Sequence, residues 1–128
     1  MARKYLRPPW FVRNVANRLV TVFGNPVLEV VGRKSGQTRS VPVNVLEHDS
    51  GRYLVAPRGE TDWVRNLRAA GTGTIKVRRK REPFSAVEVA DDEKPALIDA
   101  YKEKWGKVTK GQWEELPDPA DHPVFRIE

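Results

Sequence analysis

Arg33, Lys34, Ser35 and Arg39 fall within one eight-residue stretch, Gly32-Arg33-Lys34-Ser35-Gly36-Gln37-Thr38-Arg39, and together they have the chemistry of an anion cradle. Glycines let a ligand approach the backbone, turn N–H groups can point at negative charge, and arginine and lysine add charge-assisted hydrogen bonds. The spacing is not that of a Walker loop, and no Gly-x-Gly-x-x-Gly opens a helix, so ATP and Rossmann-type NAD binding lose support. On composition alone the stretch reads equally as a phosphate or carboxylate site and as a solvated hairpin tip. A second run, Lys76-Val77-Arg78-Arg79-Lys80-Arg81, holds five cations in six residues. Nucleic acid and acidic lipid are possible partners for such charge, but only Phe84 among the aromatics is near, so the run reads as a charged hairpin edge that resists strand-to-strand association. His48 and His122 have no Ser or Asp partner at a fixed spacing, and neither is assigned a catalytic role.

The elements that must position the cradle follow from periodicity. Phe11, Val15, Leu19 and Val22 recur at helical spacing between Pro9 and Phe23, and Gly24-Asn25-Pro26 ends that amphipathic segment. Val27–Val31 and Val41–Leu46 read as strands around the glycine-containing turn, with Pro42 confined to an edge or bulge because it cannot donate to a ladder. Arg52–Ala56 follows as a strand. Thr61 is placed to cap a helix running to Ala70, with Gly71 closing it. Thr74–Lys80 and Pro83–Val89 make a further strand pair. Asp91-Asp92 opens a helix striped by Leu97, Tyr101 and Trp105, residues 107–121 read as irregular, and Val124–Ile127 alternates as a closing strand. Strands and helices do not alternate regularly, so a parallel sheet is disfavoured. A small antiparallel barrel with helices at its sides is expected, preceded by a separate N-terminal helix over residues 1–24.

Composition narrows the function classes. With 128 residues the chain is about one domain long. Cysteine is absent and histidine occurs twice, which removes disulfides, thiolate metal sites, iron–sulfur clusters and thiol nucleophiles. No apolar run is long enough to span a bilayer and no signal peptide is evident, so a cytoplasmic protein is expected. Trp10 and Phe11 beside Arg3, Lys4, Arg7 and Arg13 add the prospect of peripheral membrane contact through residues 1–23. Residues 1–81 carry 17 basic and 5 acidic side chains, and residues 82–128 carry 6 basic and 12 acidic. The basic block implies an anionic partner without naming it.

In their order along the chain, Leu28-Glu29-Val30-Val31-Gly32-Arg33-Lys34-Ser35-Gly36, Arg39-Ser40-Val41-Pro42-Val43, Tyr53-Leu54-Val55-Ala56 and Trp63-Val64-Arg65-Asn66-Leu67 resemble the deazaflavin-dependent nitroreductase family. The resemblance spans residues 25–90 and implies an α+β fold, mainly β: a split β-barrel of the FMN-binding, flavin-reductase type. It also implies coenzyme F420, an 8-hydroxy-5-deazaflavin with a phosphate and an oligoglutamate tail. By the same resemblance Arg33, Lys34, Ser35 and Arg39 take the phosphate and tail, with Arg58 adding to that site. Val41, Pro42, Val43, Ala56, Trp63 and Asn66 line the ring, and Pro57 and Leu67 are further cofactor-binding residues. FMN, which lacks the tail, is the less favoured cofactor. The implied activity is hydride transfer from the reduced deazaflavin to an electrophilic acceptor: an enone or activated alkene, a quinone or a nitroaromatic. No catalytic residue is assigned; Tyr101 lies on a helical stripe that suits packing, leaving solvent as the proton donor.

The chain departs from the family in its short Ala56–Trp63 segment, with Arg58, Glu60 and Asp62, and in Trp105–Trp113, where a tyrosine-rich stretch is often found. The acceptor pocket is therefore expected to differ more than the cofactor site. Two alternatives belong to other classes: a non-catalytic barrel holding a flavin, haem or fatty acid, and a small basic nucleic-acid module. Nucleic acid is not the expected partner, and a monomer or homodimer is.

Overall fold

A computed structural model describes residues 25–128, so the expected N-terminal helix and its membrane contact lie outside the described residues. The strands are β1 (Val27–Val31), β2 (Thr38–Pro42), β3 (Val45–His48), β4 (Gly51–Val55), β5 (Thr72–Val77), β6 (Lys80–Glu88) and β7 (Val124–Ile127). Two helices interrupt them, α1 (Asp62–Ala70) and α2 (Lys94–Glu115), with short 3-10 turns at Asp91–Glu93 and Pro119–Asp121. The strands form one sheet in the order β2-β1-β5-β6-β7-β4-β3, and every pairing is antiparallel.

The two edge strands, β2 and β3, are joined only by Val43 and Asn44. A linker that short spans on the order of 10 Å, so the sheet must curl until its edges approach. This is the split barrel. Here the single strand expected over Val41–Leu46 is corrected: Pro42 ends β2, and the chain bends into β3. With no N–H to give, Pro42 sits on an edge strand as its chemistry requires.

Inside the curl, Leu28 and Val30 of β1, Ile75 of β5, Phe84 of β6 and Phe125 of β7 pack with Val64 and Leu67 of α1. Gly73 pairs with Phe84, and a Cβ on it would come within 2.9 Å of the Phe84 ring, so the glycine makes room for that ring. The outer side of β3, β4 and β7 is covered by α2, where Leu46, Val55 and Val124 meet Leu97, Ile98, Tyr101 and Trp113. Because β4 and β7 are covered on both faces, Leu54-Val55 and Val124-Phe125 are apolar at consecutive positions rather than alternating.

Two other expectations change. Residues 107–115 are helical, because α2 continues through Gly106 and Gly111 to bury Trp113. Its indole Nε1 donates to Thr109 Oγ1 at 2.8 Å, and that hydroxyl donates to the Trp105 carbonyl at 2.7 Å. Packing and these bonds override weak propensity. The β5–β6 turn falls at Arg78-Arg79 rather than near Arg81, with Arg78 at φ +57°, and the flanking strands shift with it.

Candidate active site

The cation-rich stretch is a tight turn between β1 and β2. Gly32 N–H donates to the Gln37 carbonyl at 2.8 Å, and Gly36 N–H donates to the Gly32 carbonyl at 2.9 Å. Gly36 adopts φ +73°, and a Cβ on Gly32 would come within 2.9 Å of Ser35 Oγ, so both positions favour glycine. Ser35 Oγ accepts the Gln37 N–H at 3.2 Å and thereby shapes the turn.

Arg33 does not project freely from this turn. Its backbone N–H and its Nη1 both donate to Oδ1 of Asn66, at 3.1 and 2.7 Å, and its Nη2 lies 3.4 Å from Oδ1 of Asp62. The Arg33 side chain is 23% exposed, against 89% for Asp62. Asp62 and Asn66 are one turn apart on α1, which puts both on the face that meets the turn. Lys34 and Arg39 are exposed. The turn therefore has one braced cation and two that extend into solvent.

Val41 and Val43 are half-buried against the barrel core, as is Trp63, whose ring centroid is 6.2 Å from that of Phe125. Ala56 and Leu67 are fully buried and back this region from inside. Pro57 is half-buried at the end of β4. Arg58 points toward α2: with the Gln112 amide turned so that its oxygen faces the guanidinium, Nη2 donates to it at 3.3 Å. Burial lowers the Arg58 pKa, and among the described residues it has no carboxylate partner. A half-desolvated guanidinium without a counter-ion is suited to an anionic ligand. The structure thus joins Arg33 to Asn66 directly and carries Arg58 to a different neighbour.

The loop bearing Arg58 is fixed by residues that the sequence reading did not single out for the site. The carboxylate of Glu60, 6% exposed, takes two bonds from Arg68 at 2.9 Å each. Arg68 also donates to Glu88 at 2.7 and 2.8 Å, and these two carboxylates raise its pKa above the usual arginine value. Thr61 occupies the N-cap of α1, but its hydroxyl makes no capping bond and is buried without a partner. Asn44 is a second addition: its Nδ2 donates to Tyr101 Oη at 3.0 Å and ties the β2–β3 bend to α2. Burial pushes the Tyr101 phenol above its ordinary pKa, although the Asn44 bond opposes that shift. His122 is enclosed, its ring nitrogens 2.9 Å from the Ala56 carbonyl and 2.5 Å from that of Leu116, which is a structural setting. No cluster of metal-ligating side chains occurs among the described residues.

A curled antiparallel barrel with a basic turn beside a half-buried apolar strand end places the chain in the split-barrel, FMN-binding-like fold class. The chain belongs to the F420H(2)-dependent quinone reductase family, whose model matches residues 8–115. It is an F420-dependent reductase, and coenzyme F420 is its cofactor. Among solved structures, it is similar to an F420-H2 dependent reductase, FDR-A, at 24% identity and TM-score 0.58, covering 80% of this chain and 92% of that one. It is also similar to HutZ, a heme storage protein from Vibrio cholerae, at 14% identity and TM-score 0.62, covering 91% and 89%. A FAD-binding protein from Mesorhizobium loti matches at 18% identity and TM-score 0.57, covering 99% and 92%. These likenesses establish the fold. No curated protein matches the chain.

The residues present fit the coenzyme. Exposed Lys34 and Arg39, with Arg58 lacking a carboxylate partner, suit a phosphate and a carboxylate tail, and Val41, Val43 and Trp63 suit a flat ring. Among the described residues no helix is long and apolar enough to cross a membrane.

Proposed function

We propose that this reductase delivers a hydride to a quinone, and more broadly to enones, activated alkenes and nitroaromatics, with Arg33, Lys34, Ser35 and Arg39 anchoring the coenzyme's phosphate and tail. The observation that carries this reading is the brace on Arg33. Because Asn66 and Asp62 fix one cation of the turn, the backbone and the exposed Lys34 and Arg39 are held at a defined place beside the apolar end of β2. Arg58 extends the anion site, and Val41, Pro42, Val43, Ala56, Pro57, Trp63, Asn66 and Leu67 form or support the ring slot.

When bound, the reduced deazaflavin supplies the hydride from C5 of its ring. The protein contributes orientation and exclusion of water: cations hold the tail, and apolar side chains keep the ring slot dry. Tyr101 is 2% exposed and its phenol oxygen is taken by Asn44 Nδ2, so its role is packing and solvent supplies the proton. A neighbour described as a domain-swapped dimer, at 20% identity and TM-score 0.59, makes a homodimer the assembly to look for.

The test is a binding isotherm of the full chain with oxidised F420 and with FMN, then turnover with a quinone, an enone and a nitroaromatic. Each charge-assisted bond from Arg33, Lys34 or Arg39 should be worth roughly 1.5–3 kcal/mol, about ten- to a hundredfold in affinity. Arg33→Ala, Lys34→Ala and Arg39→Ala should each weaken F420 binding by that order. Unchanged affinity in all three would remove the cradle, and stoichiometric, functional FMN would overturn the preference against it.

A further inference from the structure

We propose that the tip of the β5–β6 hairpin, Lys76 to Lys80, is a docking surface for an anionic lipid bilayer. The cofactor reading does not use this cluster. The basic β1–β2 turn lies beyond Val31, whereas the hairpin tip lies beyond Val27, at the opposite end of β1, because Val27 pairs with Lys76. β5 has six residues, so roughly 17 Å of strand separates its two ends. A ligand held by Arg33, Lys34 and Arg39 leaves the hairpin free.

Local acids do not neutralise the tip. Glu29 pairs with Arg81 at 3.2 Å, and Glu82 is taken by Arg52 through bonds of 2.7 and 3.1 Å. Lys76, Arg78 and Arg79 form no ion pair among the described residues, and Lys80 shares Glu82 with Arg52 only at longer range, lowering that carboxyl's pKa without a direct bond. Protection of a sheet edge accounts for only part of the charge. The unpaired side of β6 runs from Lys80 to Phe84, since β7 joins only from Ala86, and Pro83 and Arg81 already guard it. Lys76 belongs to β5, which is covered by β1 on one side and β6 on the other, and Arg78 and Arg79 form the turn itself.

The occupant follows from what surrounds the charge. Val77, 38% exposed, stands among the cations, and the hairpin tip presents no aromatic ring on which bases could stack. Cations around an exposed aliphatic side chain match a surface of anionic headgroups over hydrocarbon better than a nucleic-acid strand. The chain enters the sheet at Val27, beside Lys76, and the 24 residues before Asn25 carry five cations and no acid. On the quinone reading proposed above, docking would also bring the enzyme to an acceptor that partitions into a bilayer.

The experiment is co-sedimentation of the full chain with phosphatidylcholine vesicles, with and without phosphatidylglycerol, at low and high salt. The wild type should bind the anionic vesicles preferentially and lose that preference in high salt. Arg78→Gln/Arg79→Gln/Lys80→Gln should reduce anionic-vesicle partition about a hundredfold, and Arg79→Gln alone about fivefold, which keeps the test intact if the triple variant fails to fold. F420 affinity should stay within about twofold in both, so a failed cofactor assignment and a failed docking surface are told apart. Equal partition of wild type into neutral and anionic vesicles would overturn the proposal. So would Arg79→Gln and the triple variant binding within twofold of wild type, or tighter binding to a single-stranded oligonucleotide than to vesicles at equal phosphate.

Discussion

Arg33 and Asn66, 33 residues apart, are joined twice through one oxygen: the backbone N–H and Nη1 of Arg33 both donate to Asn66 Oδ1. This ties the basic turn to α1 and separates its cations into two kinds. Arg33 is partly structural, whereas Lys34 and Arg39 are free to serve a ligand. Asn66→Ala should cost about 1–2 kcal/mol, because it leaves two part-buried Arg33 donors without their acceptor. Arg33→Ala should cost about 1 kcal/mol, and Lys34→Ala and Arg39→Ala no more than about 0.5 kcal/mol. Urea unfolding of the four variants checks the order; equal stabilities would mean that the brace does not exist in solution.

Glu60 and Arg68 permit a second test. Glu60 is buried and its carboxylate depends on Arg68, while Glu88 is a more exposed partner of the same guanidinium. Removing Arg68 strands a buried charge, so Arg68→Met should destabilise by about 2–3 kcal/mol, discounted from the cost of a fully buried pair because the guanidinium is partly in water. Glu88→Gln should cost under about 1 kcal/mol. In the double variant Glu60→Gln/Arg68→Met much of the loss should return, since no stranded carboxylate remains. Thermal unfolding of these variants and of Glu60→Gln alone reads this, and full additivity of Glu60→Gln and Arg68→Met would contradict it.

Much of this arrangement was legible in the sequence, for reasons tied to particular residues. Leu28 and Val30 alternate because β1 has one buried face, and Gly71 ends α1 in the left-handed conformation, at φ +73°. The basic β1–β2 turn was visible as glycine plus cation composition. What was hidden depended on long-range contacts. The bend at Val43-Asn44 arises from barrel closure, which no local pattern encodes. Helix continuation past Gly106 required knowing that Trp113 is buried, and the brace required knowing that α1 lies against the β1–β2 turn. The spacing of Asp62 and Asn66, one helical turn apart, was the available signal for that contact.

The glycines of α2 yield a prediction in the stabilising direction. A Cβ at Gly111 would meet nothing within 4 Å, and one at Gly106 would make only an ordinary contact with Lys102 Cβ at 3.5 Å. Each lies inside a regular helix, where alanine is favoured over glycine by about 0.5–1 kcal/mol through backbone entropy. Gly111→Ala should therefore raise stability by that amount, and Gly106→Ala by somewhat less. A loss of stability at Gly111 would show that the last turns of α2 are not helical in solution.

Tyr101 should contribute to the loss of stability at alkaline pH. It is 2% exposed, its ring packs 4.8 Å from Trp105 and 6.0 Å from Trp113 between centroids, and desolvation outweighs the Asn44 bond in raising its pKa. In the unfolded chain the phenol titrates near pH 10, whereas the folded protein keeps the proton to higher pH. The contribution is therefore fully present below about pH 10 and is lost as pH rises through the folded-state pKa, because the unfolded state releases its proton first. Tyr101→Phe should cost about 0.5–1.5 kcal/mol at neutral pH by leaving Asn44 without its acceptor, and it should flatten the fall in stability above about pH 10. Unfolding free energies of both proteins across that range decide the matter. Parallel curves would mean that Tyr101 ionises as readily in the folded protein as in the unfolded chain, and that its seal between Trp105 and Trp113 is open to water.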